Sequence, residues 1–95
     1  MPKAYWIARV TVTNPDQYNH YASDAPIAFK KYGATILARG GTFEHMEGSG
    51  RPRNVVIEFP SLQAARDCYH SAEYQSARAK RIGAGEADIV IVEGV

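Results

Sequence analysis

Between Lys3 and Val12 the chain carries Tyr5, Trp6, Ile7, Val10, Thr11 and Val12. Aromatic and β-branched side chains pack well on a pleated surface, so this stretch predicts a first strand. The period then changes. Tyr18, Tyr21, Ala22, Ala25, Phe29 and Tyr32 recur at three- and four-residue steps, which gathers them on one side of a helix running from about Pro15 to Tyr32. Asn14 is placed to cap that helix, Pro15 suits its first position, and Asp16 lies where a negative charge favours the helix dipole. Gly33 ends it. Pro26 predicts a kink, with Ser23 or Asp24 available to cap a second segment.

"ATILARGG" reads as a second strand from Ala34 to about Arg39, closed by Gly40 and Gly41. Gly48, Ser49, Gly50 and Pro52 supply turn chemistry before a third strand at Asn54 to Phe59, so the two strands should pair antiparallel. Ser61 caps a helix with Leu62, Ala65, Cys68 and Tyr69 on one side, and Ser71 caps a further stretch through Tyr74, Ala77 and Arg81. After Gly83 and Gly85, "EADIVIVEGV" is an almost continuous apolar strand, as expected for one covered on both faces. The order β, α, β, β, α, β is the split βαβ pattern. It predicts an α+β, ferredoxin-like subunit over residues 1–95 as a single domain, with a four-stranded antiparallel sheet and helices on one face.

Two helices cover one side of such a sheet. By alternation the other side holds Tyr5, Ile7, Leu37, Val56 and half of the last strand's aliphatic residues. That much exposed apolar area predicts a homodimer whose sheets meet face to face, a twofold arrangement in which one patch buries its own copy. Arg9, Arg39 and Glu58 should then project between the sheets and pair, because a buried unpaired charge is very costly.

Composition narrows the partners. With 45% hydrophobic and 22% charged residues the chain is of ordinary globular make-up, and its net charge of +1, with basic residues scattered among acidic ones, lacks the field that concentrates nucleic acid or anionic lipid. No nucleic-acid and no membrane partner is expected. Cys68 is the single cysteine, so no internal disulfide can form, and "MPKAYWIARV" lacks the layout of a secretory signal. A cytoplasmic location is expected.

Several side chains carry possible chemistry, each beside a structural reading. Arg39, at a strand end beside Gly40 and Gly41, is suited to clamp a carboxylate while the glycines let a ligand approach; the plainer role is an ion pair with Glu58 or another acid that orders the dimer. Glu58 as a general base needs a raised pKa, which a neighbouring arginine would oppose. Arg39 and Glu58 are therefore the catalytic candidates, though weak ones. Tyr21, Tyr69 and Tyr74 could line a pocket with flat walls and orienting hydroxyls, Tyr69 foremost, or simply pack. His20, His45 and His70 show no paired spacing for a metal, and none falls in an apolar stripe that would shield a haem ligand, so neither metal nor cofactor is expected. Cys68 reads as a small buried residue, "GAGEAD" leads into a strand rather than opening a helix as phosphate loops do, and "GSGRPR" reads as a soluble turn.

The segments "YWIARV", "YGATILARGG", "NVVIEFPS" and "CYHSAEYQ", in this order and spacing, resemble the bacterial family catalogued as domain of unknown function 1330, within the dimeric α/β-barrel superfamily. The resemblance covers essentially the whole chain. It implies a ferredoxin-like subunit, a twofold dimer forming a sheet-lined barrel, and no established activity. Relatives in that superfamily include cofactor-independent monooxygenases, isomerases, haem-dependent peroxidases and stress-response barrels, so the fold alone selects no reaction. The family pattern maps onto Tyr21, Arg39, Gly40, Gly41, Glu58, Phe59, Pro60, Ser61, Tyr69, Ser71, Tyr74 and Gln75. Two functions follow as expectations. One is a small-molecule-binding dimer, an enzyme without cofactor on a small organic acid or aromatic, its ligand held by Tyr21, Arg39, Gly40, Tyr69 and Tyr74. The other is a non-catalytic structural or stress-response dimer in which Arg39 and Glu58 only stabilise the interface.

Overall fold

The structure, a computed structural model, describes residues 2–95. Strand β1 spans Ala4–Val12, and helix α1 (Pro15–Lys31) follows after Asn14, whose Oδ1 accepts the Gln17 N–H at 3.2 Å. Helix α1 runs through Pro26 as one element: no second cap forms at Ser23 or Asp24, and tertiary packing along the whole helix carries the residue that local propensity disfavours. Gly33, at φ 74°, then turns the chain into β2 (Thr35–Arg39). Residues 40–52 form an exposed connection to β3 (Arg53–Phe59). Helices α2 (Leu62–His70) and α3 (Ala72–Arg81) lead to β4 (Gly85–Glu93).

The break between α2 and α3 comes from one side chain. Ser71 Oγ donates to the Cys68 carbonyl at 2.7 Å and accepts the Tyr74 N–H at 3.1 Å, closing one helix while opening the next.

The strands form one antiparallel sheet in the order β2-β3-β1-β4, the ferredoxin-like arrangement, with the helices on one face. Register places Trp6 between Ile57 and Ile91, and Ala8 between Val55 and Ile89, on the helix side. Trp6 is the hub of the core: Phe29 and Tyr74 meet it edge-on with centroids at 5.2 and 4.9 Å, and Phe59 lies at 5.5 Å.

The other face is bare in the subunit, and the molecule is only 17 Å through its thinnest dimension, room for one sheet and one helix layer. Ile7 sits between Val56 and Val90, and Tyr5 beside Val92; Val90 and Val92 are 54% and 45% exposed. Strand β4 is therefore covered on one face within the subunit, not on both. Its apolar run alternates between the two sides. Of the charges on this open face, Glu58, Glu86 and Asp88 are paired within the chain, whereas Arg9, expected to pair, is exposed and forms no ion pair among the described residues. Lys3 Nζ meets Glu58 at 2.8 Å, and Arg51 reaches Asp88, Glu86 and the Thr11 hydroxyl at 2.9, 3.1 and 3.0 Å.

The placement of Arg39 departs from simple alternation. Ile36 is paired with Ile57 but Ala38 with Val56 and Arg39 with Val55, so the ladder slips by one residue around Leu37. A bulge inserts one residue and turns every later side chain to the opposite face. Arg39 consequently lies on the helix side with Val55, away from the space where a second sheet would pack, and it forms no ion pair with Glu58.

Candidate functional site

Helix α1 lies over the sheet with Tyr18, Tyr21, Ala25 and Phe29 turned inward, above Trp6 and Ala8 of β1, Ile57 of β3 and Ile89 of β4. Ala8, Ala22 and Ala25 are too short to fill the layer between them, and a cavity of about 50 Å³ remains. Its walls are aromatic and aliphatic. Its polar groups are unusual in kind, because the charged side chains on the lining are three arginines and no carboxylate accompanies them.

Each arginine arrives from the end of a different element. Arg39 is brought in by the β2 bulge and stands exposed at the rim. Arg53 opens β3, and its guanidinium lies 5.5 Å from the centroid of the Tyr18 ring. Gly40 makes room for it: the glycine has φ 66°, and a Cβ there would come within 2.6 Å of Arg53 Nη1. Arg81 closes α3 and is held by Gln17, whose side-chain amide donates to the carbonyls of Lys80 and Ile82 on either side, both at 3.1 Å. That clamp joins the first turn of α1 to the last turn of α3.

Arg81 is only 9% exposed. Its Nη1 donates to the Tyr74 hydroxyl at 3.3 Å, and the guanidinium sits 5.0 Å from the Tyr21 ring centroid. The Tyr21 and Tyr74 hydroxyls are hydrogen-bonded at 3.0 Å. Burial foremost, with the neighbouring Tyr74 second, pushes the Tyr21 phenol far above its ordinary range, and burial also raises Tyr74. Both phenols are neutral at ordinary pH, so neither supplies Arg81 with a counter-charge. Among the described residues three buried donors have no acceptor, Trp6 Nε1, Arg53 Nε and Arg78 Nε, and the first two belong to residues on the cavity lining.

Among the residues anticipated from the sequence, Tyr21 and Arg39 come together on the cavity wall. Tyr74 is fully buried and bonded to Tyr21, one shell behind the lining. Gly40 is off the lining and acts through the space it leaves for Arg53. Tyr69 is also off it, its ring packed edge-on to Trp6 at 5.8 Å. Glu58 is on the opposite face of the sheet, bound to Lys3. His20, His45 and His70 are exposed, and among the described residues no three His, Cys, Asp or Glu side chains gather as a metal-ligand set. Arg53 and Arg81 are the residues that sequence reasoning missed. Arg53 lay inside what read as a soluble turn, and the signal for Arg81 was an arginine in line with Tyr74 and Ala77 on the buried stripe of α3.

The profile for "Domain of unknown function (DUF1330)" matches residues 3–95. The chain belongs to the DUF1330 family. No curated protein matches it significantly. Among solved structures, this DUF1330 chain is similar to RPA0582, a protein of unknown function from Rhodopseudomonas palustris. The TM-score is 0.72 at 16% identity, covering 99% of this chain and 83% of that one. SnoaB, a cofactor-independent oxygenase from Streptomyces nogalater, matches with a TM-score of 0.67 at 10% identity over 96% of this chain and 91% of that one. A dimeric protein of unknown function and ferredoxin-like fold from Bacteroides fragilis matches with a TM-score of 0.65 at 13% identity, covering 96% and 95%. At these identities the likeness is one of fold. No helix of the described DUF1330 chain is long and apolar enough to cross a membrane.

Proposed function

We propose that this DUF1330 protein is a homodimer that binds a small organic acid or aromatic compound between α1 and the sheet, and that Tyr21 and Arg39 contact the ligand. The observation that carries this reading is an apolar cavity walled by Trp6, Tyr21 and Phe29, with Arg39 at its rim forming no ion pair among the described residues. Flat apolar walls with a few convergent polar groups are the usual make-up of small-molecule sites. The oxygenase among the structural neighbours makes cofactor-independent oxidation of the bound compound the first activity to assay.

A second reading rests on size. The free space of about 50 Å³ is well below the roughly 300 Å³ at which pockets for drug-sized ligands begin, as suits a non-catalytic structural or stress-response dimer. One experiment separates the two. In a thermal-shift screen of small carboxylates and phenols, the binding reading expects a rise in melting temperature that Arg39→Ala reduces or removes, because binding to the folded state alone raises its stability. No shift with any compound, from a wild type that sediments as a dimer, supports the structural dimer instead.

A further inference from the structure

We propose that the cavity recognises a carboxylate, with Arg81 as its inner anchor and Arg53 beside it, so that of the two ligand classes above the site takes the acid. This rests on the cavity being a small-molecule site and adds what that site selects.

The distribution of ion pairs is the starting point. Lys3, Lys31, Arg51 and Lys80 each meet a carboxylate, although most of these groups are well exposed. Exposed pairs gain little, because water already solvates both partners. Arg81 is nearly buried, where an uncompensated charge costs far more. Yet none of the ion pairs among the described residues involves Arg81, Arg53 or Arg39. The cation with the greatest need of a counter-charge has only a neutral phenol at 3.3 Å and the face of a neutral ring.

The deficit is of one chemical kind. Arg81 lacks negative charge, and the other charged groups on the lining, Arg39 and Arg53, are cations as well. A guanidinium offers only donors. A carboxylate brings two acceptor oxygens and one negative charge, and it matches the fork of a guanidinium in bidentate geometry. A neutral amide or phenol of the same shape leaves the charge uncompensated. The apolar remainder of the wall and the small volume call for a compact hydrocarbon body behind the carboxylate, and they disfavour a fully hydrated inorganic anion.

The test uses matched probes on the full chain. Calorimetric titration with benzoate and isobutyrate is set beside benzamide, isobutyramide and inorganic phosphate, for wild type, Arg81→Met and Arg53→Gln. Each acid is expected to bind wild type at least roughly tenfold tighter than its amide, the scale of a charge-assisted hydrogen bond. Arg81→Met should erase that ratio while leaving amide binding in place, and Arg53→Gln should reduce it. Arg81→Met should also keep or raise the melting temperature of the free protein, since it removes a buried charge without a counter-ion. Equal binding of acid and amide, or phosphate binding as well as benzoate, overturns the carboxylate assignment and leaves the small-molecule site standing. An unchanged ratio in Arg81→Met, with a lowered melting temperature, overturns the role of Arg81. No binding of any probe at millimolar concentration overturns both readings.

Discussion

Cys68 shows what burial does to one side chain. It is fully buried in α2, and burial foremost, with the charge of Glu73 second, pushes its thiol from 9.0 up to about 12. The sign follows from proton counting. Below pH 9.0 both folded and unfolded chains hold the proton, and Cys68 adds no pH dependence. Between pH 9.0 and about 12 the unfolded chain releases it and the folded chain keeps it, so stability falls as pH rises. Urea unfolding at pH about 8 and about 10.5 should show this loss, and Cys68→Ala should reduce it, leaving the part due to the raised Tyr21 and Tyr74 phenols. A thiol reagent should modify the native protein only at the rate of unfolding. That Cys68 would be buried was legible from its place on the apolar stripe of its helix. The cavity arginines were not equally legible, because an arginine's sequence neighbours do not say whether its guanidinium is bathed in water or laid against Tyr21.

At the scale of elements, Ser71 is the single residue on which two helices depend. Its hydroxyl serves the C-terminus of α2 and the N-terminus of α3 together. Ser71→Ala should therefore destabilise the fold by about 1–2 kcal/mol, toward the upper end of the range for a helix cap, measured by denaturant unfolding. Because α3 carries both Tyr74 and Arg81, the same variant should weaken whatever the cavity binds. The double cap was readable in advance, since serine before a helical pattern is a local signal. The slip of register around Leu37 was not. It reverses the face of Arg39, and nothing in "TILARGG" marks it, because a bulge is decided by how a strand fits its neighbour.

For the whole molecule, the proposed dimer has a defined contact surface. Glu58 and Arg51 are already paired within the subunit, so a partner has the apolar strip of Ile7, Val56, Val90 and Val92 to cover and the exposed Arg9 beside it to accommodate. Ile7→Glu at the centre of that strip would bury a carboxylate against its twofold copy and should convert the dimer to a folded monomer. Sedimentation equilibrium reads this directly: an unchanged mass for the variant, or a monomeric wild type at micromolar concentration, removes the face-to-face arrangement. The cavity lies on the opposite side of the sheet, so a monomeric Ile7→Glu variant should keep its ligand response.

The order of elements, their caps and the two-residue alternation of β1 and β3 were determined by the sequence alone, because each depends on residues close together in the chain. From these the ferredoxin-like fold follows, and with it a sheet having one bare apolar face. The tertiary structure alone decided the side of the sheet on which Arg39 emerges, the pairing of Glu58 with Lys3, and the convergence of Arg39, Arg53 and Arg81 on one cavity without an acid among them. Those outcomes are set by register and by contacts between residues far apart in the chain, where a shift of one position sends a charge from solvent to core.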